Sequence, residues 1–397
     1  MSLIKYVAWA LLSLVAGVVQ AADVEPAVVI GLSAEFGVKN SLAAQSIEKG
    51  ILLAIDEINA AGGVLNGRKL KLDARDDRGV PARGQDNFKE LAGNPDVVAV
   101  FGGRFSPVTI ELAPLAAQSK LMLLSPWAAA DVITKQTPPS YVFRLSMTDS
   151  WAMDVMLNHA YKRSFRQVAL LAPNTAWGRS AEAALLNYQK SRHNIRHITL
   201  KYNWGETDFR KKIQEAIDFG SDAIILVANE AEGAPIVRQV AELPADERLP
   251  LIAHWGITGG DFARITGPAL QSVDLSVVQT FTFNDSGNHK TAQIAKGVQR
   301  LFGHDIKELH AQVGFAHAYD LTYLLAMAIN KAGSTDREAV RNTMEQLGSY
   351  KGLVREYNRP FTKIDHEALD KQQLFMGRFD KFGNIQKIGN VQKINEK

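Results

Sequence analysis

The sequence predicts an α/β protein of two doubly wound, parallel-sheet lobes, and three observations carry that expectation. Short apolar or β-branched runs alternate with helix-period segments from Ala27 onward, the pattern of parallel strands covered by helices. The alternation restarts after about residue 147, which calls for a second lobe. Cysteine is absent, so stability must come from a large apolar core rather than from cross-links.

In chain order, Val28-Val29-Ile30 reads as the first strand. Ile47, Ile51, Ala54, Ile55 and Ile58 then form one apolar helical stripe, and the helix stops at Gly62-Gly63. Lys69 to Leu72 alternates as a strand does, whereas Val97 to Phe101 and Leu121 to Leu124 are continuous apolar runs suited to central strands buried on both faces. The second lobe opens with a strand at 168–171, followed by a helix at 180–190, a strand at 195–202, a helix at 209–219 and a strand at 223–227. A strand-like stretch at 275–283 precedes three helical segments, 291–302, 315–332 and 337–347. These bring no strands of their own and must pack on an existing sheet. Short strands near 373–379 and 384–387 end the pattern, and with no linker or low-complexity segment the lobes are expected to be joined by several ordered crossings.

The N-terminus has its own signature. Lys5 precedes an apolar or small run, Val7 to Val19, whose 13 residues fall short of the roughly 20 needed to span a bilayer as a helix. Val19-Gln20-Ala21 supplies small residues for cleavage, so residues 1–21 read as a signal peptide, and with no cysteine following, a lipoprotein is excluded. Removing 21 of 397 residues leaves 376, enough for two ordinary domains, and no second run of spanning length follows, so the mature chain is expected to be soluble and periplasmic. With 45 basic and 42 acidic residues dispersed along the chain, nucleic acid is not an expected partner.

Ligands of open α/β sheets bind beyond the carboxyl ends of the strands, where helix N-termini present backbone N–H groups. Two loops of the first lobe occupy such positions. Gly102-Gly103-Arg104-Phe105-Ser106-Pro107 follows one central strand, with Ser106 able to cap the next helix or to donate to a ligand. Ser125-Pro126-Trp127-Ala128-Ala129-Ala130-Asp131 follows the next.

With Asp56-Glu57-Ile58-Asn59-Ala60-Ala61-Gly62-Gly63, Asp76-Asp77 and the run Lys120 to Pro126, the chain resembles the leucine/isoleucine/valine-binding protein family of type I periplasmic binding proteins, over essentially its whole mature length. The resemblance implies two lobes with three crossings between them, expected as residues 24–147 plus 280–355 and 148–279 plus 356–397. It also implies closure of a hinge on a ligand, hand-over to an inner-membrane ABC permease, no cofactor and a monomer. Closure is expected to be favoured only by the contacts that the second lobe adds to the ligand, so that the closed population follows occupancy.

Residue by residue, the family's carboxylate-binding serine falls on Ser106 and its second-loop backbone contact near Trp127 and Ala128. Its threonine falls on Ala129, so that donor is missing. The aromatic residue before a glycine falls on Trp177-Gly178, and the acid that pairs the ligand's ammonium falls on Trp255. A buried, unpaired ammonium costs several kcal/mol, which points away from ordinary α-amino acids. Glu230, beside Asn229 at a strand's carboxyl end, is the candidate substitute; otherwise it is a solvated helix-start charge. Arg104 beside Ser106 would favour a carboxylate, or else bridge to an acid across the interlobe edge. The tryptophans are ligand walls or lobe-rim packing. The expected ligand is therefore a small aromatic or apolar carboxylate; a branched-chain or other amino acid held by Glu230 is the alternative. A sensor of the same fold, signalling to a membrane receptor, is a further reading.

No dinucleotide fingerprint, P-loop or nucleophile elbow occurs, which argues against an enzyme. His159, His254 and His317 lack companions at ligand spacing, so no metal is expected.

Overall fold

A computed structural model describes residues 26–192, 195–284 and 290–389. The expected signal peptide, residues 1–21, lies outside them. The first lobe begins with β1 (Val28–Ala34), α1 (Ala43–Ala60), β2 (Leu70–Asp76), α2 (Pro81–Gly93), β3 (Val97–Gly102), α3 (Ser106–Gln118), β4 (Met122–Ser125) and β5 (Val142–Arg144). The chain then crosses to α4 (Asp149–Lys162), β6 (Gln167–Pro173), α5 (Ala176–Ser191), β7 (Arg196–Tyr202), α6 (Arg210–Asp218), β8 (Ala223–Leu226), α7 (Glu230–Ala241), β9 (Leu251–Ala253), α8 (Phe262–Thr266) and β10 (Leu275–Gln279). A second crossing returns it to α9 (Thr291–Phe302), α10 (Gln312–Ala332), α11 (Arg337–Met344) and the hairpin β11 (Tyr350–Lys351) with β12 (Glu356–Tyr357). A third delivers β13 (Phe375–Phe379) and β14 (Ile385–Lys387) to the second lobe.

The first sheet runs β2-β1-β3-β4-β5, all parallel. The second runs β14-β13-β10-β9-β8-β6-β7, parallel from β10 to β7, with antiparallel β13 and β14 closing its edge. In each lobe the first strand has its second on one side and its third on the other, so a switch point lies between β1 and β3 and another between β6 and β8. Loops diverge there, and the carboxyl ends open into a crevice.

Sequence periodicity explains the layers. Both faces of β3 are buried: Val98, Ala99 and Phe101 join Ile47, Ile51 and Phe315 in one core, while Val97 and Val100 join Phe88, Leu91 and Leu112 in the other, a register shift after Val97 interrupting strict alternation. The stripe of α1 is buried as expected, and the helix ends in Gly62 and Gly63 at φ of 111° and 76°, a region that favours glycine. Gly50 lets α10 approach, because a Cβ there would come within 2.2 Å of the Phe315 carbonyl oxygen. The late helices α9 to α11 thus pack on the first lobe, whose sheet they cover.

One boundary differs from expectation. Residues 356–369, expected in the second lobe, lie against the first. Arg144 N–H donates to the His366 carbonyl at 2.9 Å, Ala368 N–H donates back to the Arg144 carbonyl at 2.8 Å, and the Arg144 guanidinium binds the Glu367 carboxylate at 2.6 and 2.8 Å. This segment extends the sheet edge by one irregular rung, which its sequence, devoid of alternation, did not announce. Among the described residues no helix is long and apolar enough to cross a membrane.

The returning hairpin is fastened by one buried carboxylate. Asp320 of α10 accepts from Leu353 N–H at 2.6 Å, Val354 N–H at 2.8 Å and Tyr357 O–H at 2.8 Å. Replacing it by alanine strands three buried donors, so Asp320→Ala should destabilise the protein by about 3 kcal/mol or more, read as a lower urea midpoint.

Candidate functional site

Both crevices face each other across one closed cleft. From the first lobe, the loop after β3 brings Arg104, Phe105, Ser106 and Pro107, and the loop after β4 brings Trp127 and Ala129. From the second, the ends of β6, β7, β8 and β9 bring Trp177, Trp204, Asn229 and the pair Trp255-Gly256. These residues close on a nearly filled pocket, with about 10 Å³ of space left between them. Its walls are mainly aromatic: Trp127 and Trp255 lie 5.5 Å apart, and Phe105 and Trp204 5.0 Å. A larger open groove near Gly62, Asn66 and Asn330 sits at the opposite, amino ends of the strands, away from both switch points.

Each wall is held from behind. The Trp177 indole N–H donates to Asp149 Oδ1 at 3.1 Å, and His254 Nε2 is 3.2 Å from the same oxygen. Trp127 lies against Gly314, where a Cβ would approach the ring to 2.6 Å. His317 packs 5.7 Å from Trp255; its Nδ1 meets the Pro126 carbonyl at 2.8 Å and its Nε2 the Thr280 hydroxyl at 3.0 Å. A carbonyl only accepts, so Nδ1 carries the hydrogen and Nε2 accepts from Thr280. Burial lowers the His317 pKa to about 4, which keeps this brace neutral.

Of the two roles open to Ser106, capping is not the one realised. Phe105 occupies the N-cap position and Ser106 is the first helical residue, with Pro107 next, where a missing N–H costs nothing. The Ser106 hydroxyl accepts from Ala130 N–H at 3.2 Å, tying the two first-lobe loops together and leaving its own hydrogen to donate. Ala128 does not reach the pocket: it packs in the first-lobe core, and its carbonyl accepts from Arg144 at 3.3 Å. Trp204 was missed, although its place just after a strand, like that of Trp255, could have marked it.

Arg104 and Glu230 depart furthest from expectation. Glu230 is neither solvated nor free to meet a ligand. It is fully buried, and its oxygens accept from Arg104 Nη1 at 2.6 Å and Nη2 at 2.8 Å. The bridging alternative for Arg104 is therefore the one realised, and the pair spans the two lobes. Backbone contacts accompany it: Leu42 N–H donates to the Gly259 carbonyl at 2.9 Å, and Ser41 bridges to Gly260. The lobes thus meet through contacts between their own residues.

Nearby acids feel the burial. Burial pushes the Glu35 carboxyl up, against the pull of the adjacent Arg104. Burial, followed by the neighbouring Glu35 charge, raises Asp77 to about 7, although Asp77 accepts from Gly79 N–H at 2.7 Å and Ser33 at 3.3 Å.

A binding fold is thereby defined: two hinged α/β lobes with opposed switch points closing on a small pocket. A family model described as periplasmic binding protein matches residues 27–381, and the chain belongs to that family, one of solute-binding rather than enzymatic proteins. A Leu/Ile/Val-binding protein homolog 1 of Brucella suis is 24% identical over 328 residues, 82% of this chain and 84% of that one. A type 1 periplasmic binding protein of Bordetella pertussis superposes with a TM-score of 0.81 at 21% identity, covering 91% of this chain and all (100%) of the other. The LivJ protein of Streptococcus pneumoniae with isoleucine gives 0.76 at 19% identity, covering 91% and 100%. A solute-binding protein of Rhodopseudomonas palustris with 3,4-dihydroxybenzoic acid gives 0.74 at 18%, covering 91% and 95%.

The sign of the Asp77 shift sets a pH dependence. A carboxyl whose folded pKa lies above its unfolded value stabilises the protein below about pH 4, and that contribution is lost as pH rises through about 7. Asp77→Asn should therefore lose less stability than wild type between those limits, by up to a few kcal/mol, measured by denaturant unfolding across the pH range.

Proposed function

We propose that this chain is the periplasmic solute-binding component of an ABC importer, and that its ligand is a small carboxylate with an aromatic or apolar body and no ammonium group. The observation that carries this reading is the make-up of an aromatic pocket: no carboxylate is among its lining residues, and the neighbouring Glu230 has both oxygens committed to Arg104. Trp127, Trp177, Trp204, Trp255 and Phe105 provide flat apolar walls. The Ser106 hydroxyl, at the N-terminus of α3, provides a donor for the anion together with the helix dipole. Asn229 offers a further polar contact from the second lobe.

The relative with dihydroxybenzoic acid supports an aromatic acid by analogy of fold. The names of the Brucella relative and the streptococcal protein support the second reading, a branched-chain amino acid. On that reading Glu230 must leave Arg104 to meet the ammonium. In either case the permease would recognise the closed pair of lobes, and export would follow from the N-terminal segment.

A panel of benzoate, hydroxybenzoates, branched aliphatic acids, leucine, isoleucine and valine distinguishes the two. A true ligand at about 100 times its dissociation constant should add roughly 2.7 kcal/mol of stability, seen as a thermal shift with a change in tryptophan fluorescence. A strong shift with leucine and none with any acid lacking an amine would overturn the proposal. With the ligand in hand, Ser106→Ala should weaken binding by about 1–2 kcal/mol in calorimetric titration and leave the fold intact.

A further inference from the structure

The surroundings of the Arg104 guanidinium are arranged as a socket. Glu230 takes its two terminal nitrogens, Glu35 Oε1 lies 3.4 Å from Nε, and the Phe105 ring lies 4.9 Å from its central carbon. Space for it comes from residues without side chains. A Cβ on Gly259 would fall 1.7 Å from Arg104 Nη1, and one on Gly103 would fall 2.3 Å from Glu35 Oε2. The side chains of Arg104 and Glu230 are 2% and 0% exposed, so neither charge is screened by water. The socket draws on both lobes and adjoins the pocket, because Arg104 and Phe105 line both.

We propose that this socket is a cation subsite of the cleft, centred on Glu230 and filled by the chain's own Arg104, and that Arg104 thereby selects against ligands bearing an ammonium. This rests on the reading that the cleft takes an anion without an amine. An entering ammonium competes for Glu230 with a guanidinium that is tethered, bidentate and already desolvated, and it leaves that guanidinium without its partner. Truncating Arg104 should expose the subsite to a free cation.

The experiment uses methylguanidinium as the probe. Arg104→Ala should bind it saturably at millimolar concentration in calorimetric titration, with a rise of several degrees in melting temperature. Wild type should show neither, and the double variant R104A/E230Q should bind at least tenfold more weakly than R104A. Absence of binding to R104A, equal binding by wild type, or full binding by the double variant would each refute the subsite. If R104A does not fold by itself, refolding in methylguanidinium should restore its native circular dichroism, and failure to do so is equally decisive against the proposal. None of these arms uses the natural ligand. A strong shift with leucine and none with any acid lacking an amine would therefore sink the proposed function and leave the binding of methylguanidinium standing.

Discussion

The ion pair between Arg104 and Glu230 is the contact on which the closed shape depends. Its partners come from strand ends in different lobes and are both withdrawn from water. A buried charge of either sign needs its partner in place, since separation inside an apolar cleft costs several kcal/mol. The glycines at 259 and 260 follow from this: each lies where any side chain would collide with the pair or with the opposing lobe's backbone, while a Cβ at Gly103 would meet Glu35 of its own lobe. Electrically the pair takes both of its charges out of circulation, and what remains beside it is an aromatic space with hydroxyl and amide groups.

The pocket and the hinge share residues. Asp149, which holds the Trp177 indole, is the first residue of α4, immediately after the first crossing. Thr280, which braces His317 beneath Trp255, begins the second crossing. Ser146, within the first crossing, donates to the Trp127 carbonyl at 2.8 Å. The backbone segments that must turn when the lobes part are therefore hydrogen-bonded to the walls, or to the residues behind them. Opening and loss of the aromatic enclosure are one event rather than two.

Much of this fold could be read from the chain, because period and burial are local properties. The stripe Ile47 to Ile58, the apolar runs of β3 and β4, and the helix Thr291–Phe302 all lie where expected. Eight of the ten expected site residues line the pocket, since strand ends and switch points follow from element order. The remaining two, Ala128 and Glu230, were misplaced for different reasons. Ala128 differs from Ala129 only in which way one residue of an irregular loop turns. Glu230 depended on a partner 126 positions away, and no local pattern encodes such a pairing. The edge segment around Glu367 was invisible for the same reason: Arg144, not alternation, holds it.

The same pairing bears on how a clamp of this family could change ligand class while keeping its scaffold. A zwitterion needs a donor set for its carboxylate and an acceptor for its ammonium. On the proposed reading the donor side persists in Ser106 and the start of α3, with Ala129 in place of one hydroxyl. On the acceptor side, Trp255 stands where the resemblance places an acid, and the acid that is present, Glu230, is occupied by Arg104. Taking away an acceptor leaves an ammonium buried and unpaired, a penalty of several kcal/mol, whereas gaining an aromatic wall adds favourable burial for a flat apolar body. Both changes act in the same direction. On the proposed reading, discrimination between an acid and its amino derivative needs no new anion site, only an internal cation that arrives before the ligand does.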